Sequence, residues 1–221
     1  MLSAVRREAT VKTNLSVSDF IQIFETIAET LEREKDYLSE LDGAIGDGDH
    51  GVNMAKCFRE VRKKLAESEE ADIGALLDKV GKVILNAVGG AMGALYGTFF
   101  LKASKEVKGK REVGLEDLIR MFEAAEAAIV AMGKARPGDK TLLDTLDPAL
   151  KALKDAQAKG KPLLEALAAF SEAARKGAES TQAMIAKIGR SSRLGERTIG
   201  HQDAGATSCY FILDAFYQAT K

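Results

Sequence analysis

Apolar residues recur at helical spacing along most of this chain. Ser16-Val17-Ser18-Asp19 reads as a capping box ahead of Phe20, Phe24, Ile27 and Leu31, so the spacing predicts a first helix from 16 to about 38. A second periodic stretch covers 53–65, and a third, 73–88, carries Leu76, Val80, Val83 and Leu85 before Gly89-Gly90 ends it. Further helices are predicted over 91–106, 115–134 (Leu115, Leu118, Phe122, Ala125, Ile129, Met132), 139–158, 163–187 and 204–219. Asp147-Pro148 fits either an N-cap with its first helical residue or a kink inside one longer helix, and the sequence leaves both open. No segment joins period-two alternation to β-branched enrichment, so no strand is expected. An all-α fold of about eight helices follows, joined by loops short enough to make neighbours antiparallel. The segments 107–114 and 158–162 are too short to tether separate domains, which leaves residues 1–15 as an N-terminal extension and 16–221 as one helical domain.

Composition narrows the function without choosing it. The chain has 221 residues, with Lys+Arg 32 against Asp+Glu 33 and a net charge of −1, so no global field draws it to nucleic acid or an anionic membrane. Cys57 and Cys209 stand far apart and outside any zinc-ligand spacing, which argues against a disulfide scaffold and for a reducing cytoplasm. No window approaches the run of about 20 apolar residues needed to span a membrane, and no signal-peptide core precedes residue 17. Met54, Met121 and Met132 are expected to fill the core.

The polar residues cluster. LDGAIGDGDHGVN, residues 41–53, places Asp42, Asp47, Asp49, His50 and Asn53 among glycines. Three carboxylates so close raise one another's pKa or recruit a cation, and hard oxygen ligands suit Mg2+ or Ca2+. The segment formally matches the dinucleotide-binding glycine pattern, but it follows a helical stretch rather than a strand, and its aspartates would repel a bare pyrophosphate. An EF-hand begun at Asp47 would need Glu where Phe58 stands, and one begun at Asp42 has Ala44 at its third position. Capping of helices by these aspartates is the plainer alternative for any one of them. Together with His50 and Asn53 at the head of the next helix, they point to Mg2+ carrying a phosphate ligand.

Three more segments fit that chemistry. Gly89-Gly90-Ala91-Met92-Gly93-Ala94 offers bare backbone amides at a helix N-terminus, which suits phosphate and equally suits a tight turn. Lys134 to Thr141 is a polar loop able to close over a ligand. GRSSRLGERTIGHQDAG, residues 189–205, carries Arg190, Arg193 and Arg197 for phosphate or an acidic partner and Asp203 to cap the last helix. No Ser/His/Asp or Cys/His constellation can be argued from two distant histidines alone, so nucleophilic hydrolysis is a less expected chemistry.

Through LDGAIGDGDHGVNM, GGAMGALYGTFF, GKARPGDKTLLDTL and GRSSRLGERTIGHQDAGATS, in that order, the chain resembles the nucleotide-binding L subunit of dihydroxyacetone kinases. The resemblance covers essentially everything after residue 16. It implies an up-and-down barrel of eight antiparallel helices holding ADP or ATP and two Mg2+ ions at one end. Carried over by position, it makes Asp42, Asp47 and Asp49 the Mg2+ ligands and sets His50, Gly51, Val52 and Asn53 against the phosphates. Ala91 and Met92 would belong to the phosphate loop, and Gly133, Leu142, Arg190, Asp203 and Gly205 would line the rest of the nucleotide site. The family's loop usually reads Gly-Gly-Ala-Ser-Gly-Pro, whereas Met92 and Ala94 stand here. A lost serine contact would cost about 1–2 kcal/mol if nothing replaces it.

The resemblance further implies a separate K subunit that binds the small hydroxyketone, so that this chain alone is inactive. A phosphohistidine-carrying phosphotransferase subunit recharges bound ADP in some members, while others use free ATP. Two other functions are expected less: a nucleotide-binding regulatory protein without transfer activity, and a Mg2+-dependent phosphohydrolase. A kinase subunit for another short sugar is a variant of the first reading.

Overall fold

The computed structural model of the chain describes residues 12–67 and 70–221. Nine α-helices carry nearly all of the regular structure among the described residues: α1 (Val17–Arg33), α2 (Lys35–Ile45), α3 (His50–Ala66), α4 (Ile73–Ala87), α5 (Gly90–Glu106), α6 (Leu115–Gly133), α7 (Leu143–Ala158), α8 (Leu163–Ser180) and α9 (Ala204–Gln218). The all-α expectation holds with one helix more than the pattern predicts, because the first predicted helix breaks at Glu34 (φ −92°, ψ 7°). The capping box at its start forms: the Asp19 amide donates to Ser16 Oγ at 3.3 Å, and the Ser16 amide donates to Asp19 Oδ2 at 2.8 Å.

Other boundaries shift for identifiable reasons. Helix α7 starts at Leu143 rather than 139 because the Asp144 carboxylate accepts from the Gly138 and Thr141 amides at 2.5 and 2.7 Å, holding 138–141 as a turn. Pro148 lies inside α7, which decides for the kink reading. The Asp144 carbonyl left without a donor there faces Gly177 of α8, where an added Cβ would stand 2.3 Å from it. Helix α8 ends at Ser180 instead of 187, followed by a short 3-10 turn, Thr181–Ala183. One expectation fails outright: Leu15–Ser16 (β1) pairs antiparallel with Glu112–Val113 (β2), a contact too short to show any period along the chain. Of the expected N-terminal extension, residues 1–11 lie outside the described residues.

Helices α3 to α9 pack each against the next, and α1 packs against both α3 and α9, so eight helices close a ring with α2 beside α3 and α9. This is the neighbour order an up-and-down barrel requires, and connections as short as the two residues between α4 and α5 make neighbours antiparallel. Phenylalanines fill the axis. Phe24 of α1 meets Phe100 of α5 at 5.4 Å, Phe20 of α1 meets Phe216 of α9 at 5.8 Å, and Phe122 of α6 meets Phe216 at 5.3 Å and Phe170 of α8 at 4.8 Å. Met54 and Met121 join this core, but Met132 is 46% exposed, because α6 ends one residue later and its apolar stripe stops at Ile129. Leu85, also predicted to face inward, is 43% exposed and lies over Gly97 of α5 instead. Alternation places the N-termini of α3, α5, α7 and α9 at one end, with the β pair and the C-terminus of α9 at the other. No helix among the described residues is long and apolar enough to cross a membrane.

Candidate functional site

Four helix starts meet at that first end. His50, the first residue of α3, contacts Ser208 of α9 through Nε2···Oγ at 2.8 Å; Tyr96 of α5 donates to the Gly205 carbonyl at 3.1 Å; Thr145 of α7 donates to the Ala206 carbonyl at 2.9 Å. Helix N-termini carry a partial positive charge and amides without intrahelical partners, and α5 alone among these four has no side-chain cap bond at its start, so their convergence favours an anion.

The aspartates lie beside it. Asp42 sits in the last turn of α2, not in a loop, and its Oδ2 accepts from the Asp49 and His50 amides at 3.0 and 3.3 Å, so it caps α3 from outside. Gly48 turns the chain at φ +77°, a left-handed conformation open to glycine, and this brings Asp47 and Asp49 back toward Asp42. One carboxylate oxygen from each of the three lies within 4.8 Å of the others. Asp47 and Asp49 are exposed and Asp42 is half-buried, so the cluster opens to solvent. Three convergent hard oxygens fit a divalent cation. The Arg190 guanidinium pairs with Asp47, a cation already standing at the cluster.

These carboxylates line a cleft of about 430 Å3 together with His50, Asn53, Gly89 to Met92, Arg190 and Ser191. Gly89 is the N-cap of α5 without a side-chain bond, and Gly90 (φ +74°) leaves open space where a Cβ would be. The first-turn amides of α5 therefore face the cleft uncovered. Convergent carboxylates and bare helix amides lining one cleft have the chemistry that suits a metal-bound phosphate.

Behind the cleft runs a hydrogen-bonded chain. Ser208 Oγ lies 2.8 Å from His50 Nε2 and 2.7 Å from Tyr96 OH, and both hydroxyls reach the Gly205 carbonyl at 3.1 Å. Burial lowers the His50 pKa, opposed by the nearby Asp42 and Asp49 charges, so the ring is held toward its neutral form. Asp203 caps α9 by accepting from the Ala206 amide at 2.7 Å, as its position predicts. Burial raises its pKa to about 6 against the lowering by that bond and by Lys140.

The structure thus brings Asp42, Asp47, Asp49, His50, Asn53, Ala91, Met92 and Arg190 into one cleft. Val52 points outward, 53% exposed, and Gly51 is buried against α2, where a Cβ would stand 1.9 Å from the Lys35 carbonyl. Gly133 ends α6 and the buried Leu142 precedes α7, so they stand at the two ends of the 134–141 loop and do not line the cleft; Asp203 and Gly205 do not line it either, and the Gly205 carbonyl joins it through Tyr96 and through Ser208, which contacts His50. Tyr96, Ser208 and Lys140 are site neighbours that sequence reasoning missed. Tyr96 stands one helical turn after Met92, the only local signal for it.

A DAK2 domain model matches residues 44–218. The chain is 42% identical over 204 residues to the ADP-binding subunit DhaL of a PEP-dependent dihydroxyacetone kinase 2 of Listeria innocua, covering 91% of this chain and 94% of that one. It is 39% identical over 208 residues to the ADP-binding subunit DhaL of the Escherichia coli PEP-dependent dihydroxyacetone kinase, covering 94% and 99%. The crystal structure of the dihydroxyacetone kinase from C. freundii in complex with AMP-PNP and Mg2+ superposes with a TM-score of 0.69 at 26% identity, over 99% of this chain and 37% of that longer one.

Proposed function

Because the chain belongs to the DAK2 domain family, we propose that it is the nucleotide-binding subunit of a dihydroxyacetone-type kinase, active only with a partner that holds the sugar. The observation that carries this reading is the meeting of three carboxylates with the uncovered amides of α5 across one cleft.

In this reading Asp42, Asp47 and Asp49 hold two Mg2+ ions, which when bound neutralise charge on the nucleotide phosphates. The amides of Ala91 and Met92 and the first turn of α3, His50 to Asn53, bind phosphate oxygens. Gly133, Leu142, Asp203 and Gly205 complete the ADP or ATP site. Arg190, paired with Asp47 at the cluster, would offer its planar donors to a phosphoryl group bound there. Ser208 and Tyr96 orient the His50 ring. No side chain forms a covalent intermediate; the chain's residues position and neutralise.

A K-type subunit binding a small hydroxyketone docks over the cleft, and the PEP-dependent relatives favour recharging of bound ADP by a phosphohistidine-carrying phosphotransferase protein, in the cytoplasm. Residues 16–221 act as one nucleotide-binding domain. Acid release and mass spectrometry of protein purified in Mg2+ should yield stoichiometric ADP that a chelator removes. In calorimetry, an Asp47→Ala, Asp49→Ala protein should bind Mg-ADP on the order of 100-fold more weakly. Unchanged affinity in that variant would sink the metal assignment.

A further inference from the structure

Lys140 has no role in the site as assigned so far. Its side chain is 2% exposed, and its ammonium donates to the carbonyls of Thr181, Met184, Thr198 and His201 at 2.8, 3.2, 2.7 and 2.5 Å. An ammonium has three N–H donors, so these four acceptors saturate it. Two of them lie on the outgoing leg of the 181–201 segment and two on the returning leg, and Arg190 stands between the legs.

The attachment is built from both sides. Lys140 is held in left-handed backbone (φ 62°), a conformation that a residue with a Cβ adopts only when its surroundings impose it. Its neighbours impose it: the Asp139 carboxylate accepts from the Arg136 amide at 2.9 Å, and the Thr141 amide donates to Asp144 at 2.7 Å. The Lys187 amide and ammonium add bonds to the Asp139 and Gly138 carbonyls at 3.2 and 2.8 Å. Without the cation, four carbonyl oxygens would converge on one point and repel one another in a low-dielectric interior, with those of Thr181 and Thr198 keeping only the Met184 and His201 amides at 3.1 and 3.4 Å.

We infer that Lys140 is a positioning residue: its buried ammonium ties the neck of the loop between Met184 and Thr198 and so holds Arg190 at the cleft before nucleotide arrives. This rests on the nucleotide-binding reading of the cleft. Its consequence is that Arg190 contributes to binding only while Lys140 is in place, although the two side chains share no contact.

Calorimetric titration of Mg-ATP into the full chain, Lys140→Met, Arg190→Ala and the double variant tests it. Lys140→Met should weaken binding by roughly tenfold, and the double variant should bind about as Arg190→Ala does. Wild-type affinity in Lys140→Met, or fully additive losses, would overturn the inference. Hydrogen exchange on the ligand-free wild-type protein decides the point even if Lys140→Met does not fold. Amides over 184–200 should already be protected; free exchange there that slows only with Mg-ATP would equally overturn it. A wild-type chain that binds no Mg-ATP refutes the nucleotide reading instead, and the exchange result still judges the tie.

Discussion

Asp203 carries two demands that pull its charge in opposite directions. As the cap of α9 it accepts a backbone amide, which favours the anion, while its burial favours the acid and prevails, raising the pKa from 3.8 to about 6. Between those values the folded protein holds a proton that the unfolded chain has released, so this residue's contribution to stability falls as pH rises through that window and its deficit is complete above about 6. Asp203→Asn keeps an oxygen for the cap and removes the charge. Urea unfolding of ligand-free protein should show the variant more stable by on the order of 2 kcal/mol at pH 7, with the gap closing toward pH 4; a gap independent of pH would count against the buried charge. At this scale the sequence is legible where partners are neighbours: Asp42, Asp47 and Asp49 are readable as a cluster because a turn of one glycine brings them together. It is illegible where partners are remote. His50 meets Ser208 across 158 positions and Lys140 meets His201 across 61, and no local pattern encodes either.

Among the elements, α2 and α3 show how closely the cleft depends on packing. Gly51 lets the first turn of α3 rest on α2, and an added Cβ would stand 1.9 Å from the Lys35 carbonyl and 2.7 Å from Ser39 Oγ. Gly51→Ala should therefore lower stability by about 1–3 kcal/mol and, by moving His50 and Asp49, also weaken Mg-nucleotide binding. Thermal unfolding and calorimetry on one preparation check both; a stability loss with unchanged affinity would separate the packing from the site. The apolar spacing predicts the bodies of α3 to α9 because each buries one stripe. It does not predict the break at Glu34, the late start of α7 or the early end of α8. At Glu34 the stripe skips a single turn, from Leu31 to Leu38, a gap that a continuous helix also tolerates. The Asp144 carboxylate sets the α7 boundary, and beyond α8 the Thr181 and Met184 carbonyls bond Lys140 instead of continuing a helix. These bonds outweigh local helical preference.

For the molecule as a whole, the axis of phenylalanines makes the ring one cooperative body. Phe122 touches Phe99, Phe170 and Phe216 from three other helices, at 6.1, 4.8 and 5.3 Å, so Phe122→Ala should cost about 3–5 kcal/mol and still unfold in one transition. Two separated transitions in calorimetry would contradict a single core. Ring closure between α1 and α9 is not readable from spacing alone; the ordered motifs imply it through the family, and the packing of α1 on α9 provides it. An even number of alternating helices has one more effect. Among the described residues, β1 and the end of α9 lie at the same pole, the one opposite the cleft. A polypeptide joined after α9, or a surface to which that end is anchored, would thus meet the far end of the barrel and leave the cleft facing outward for an incoming partner.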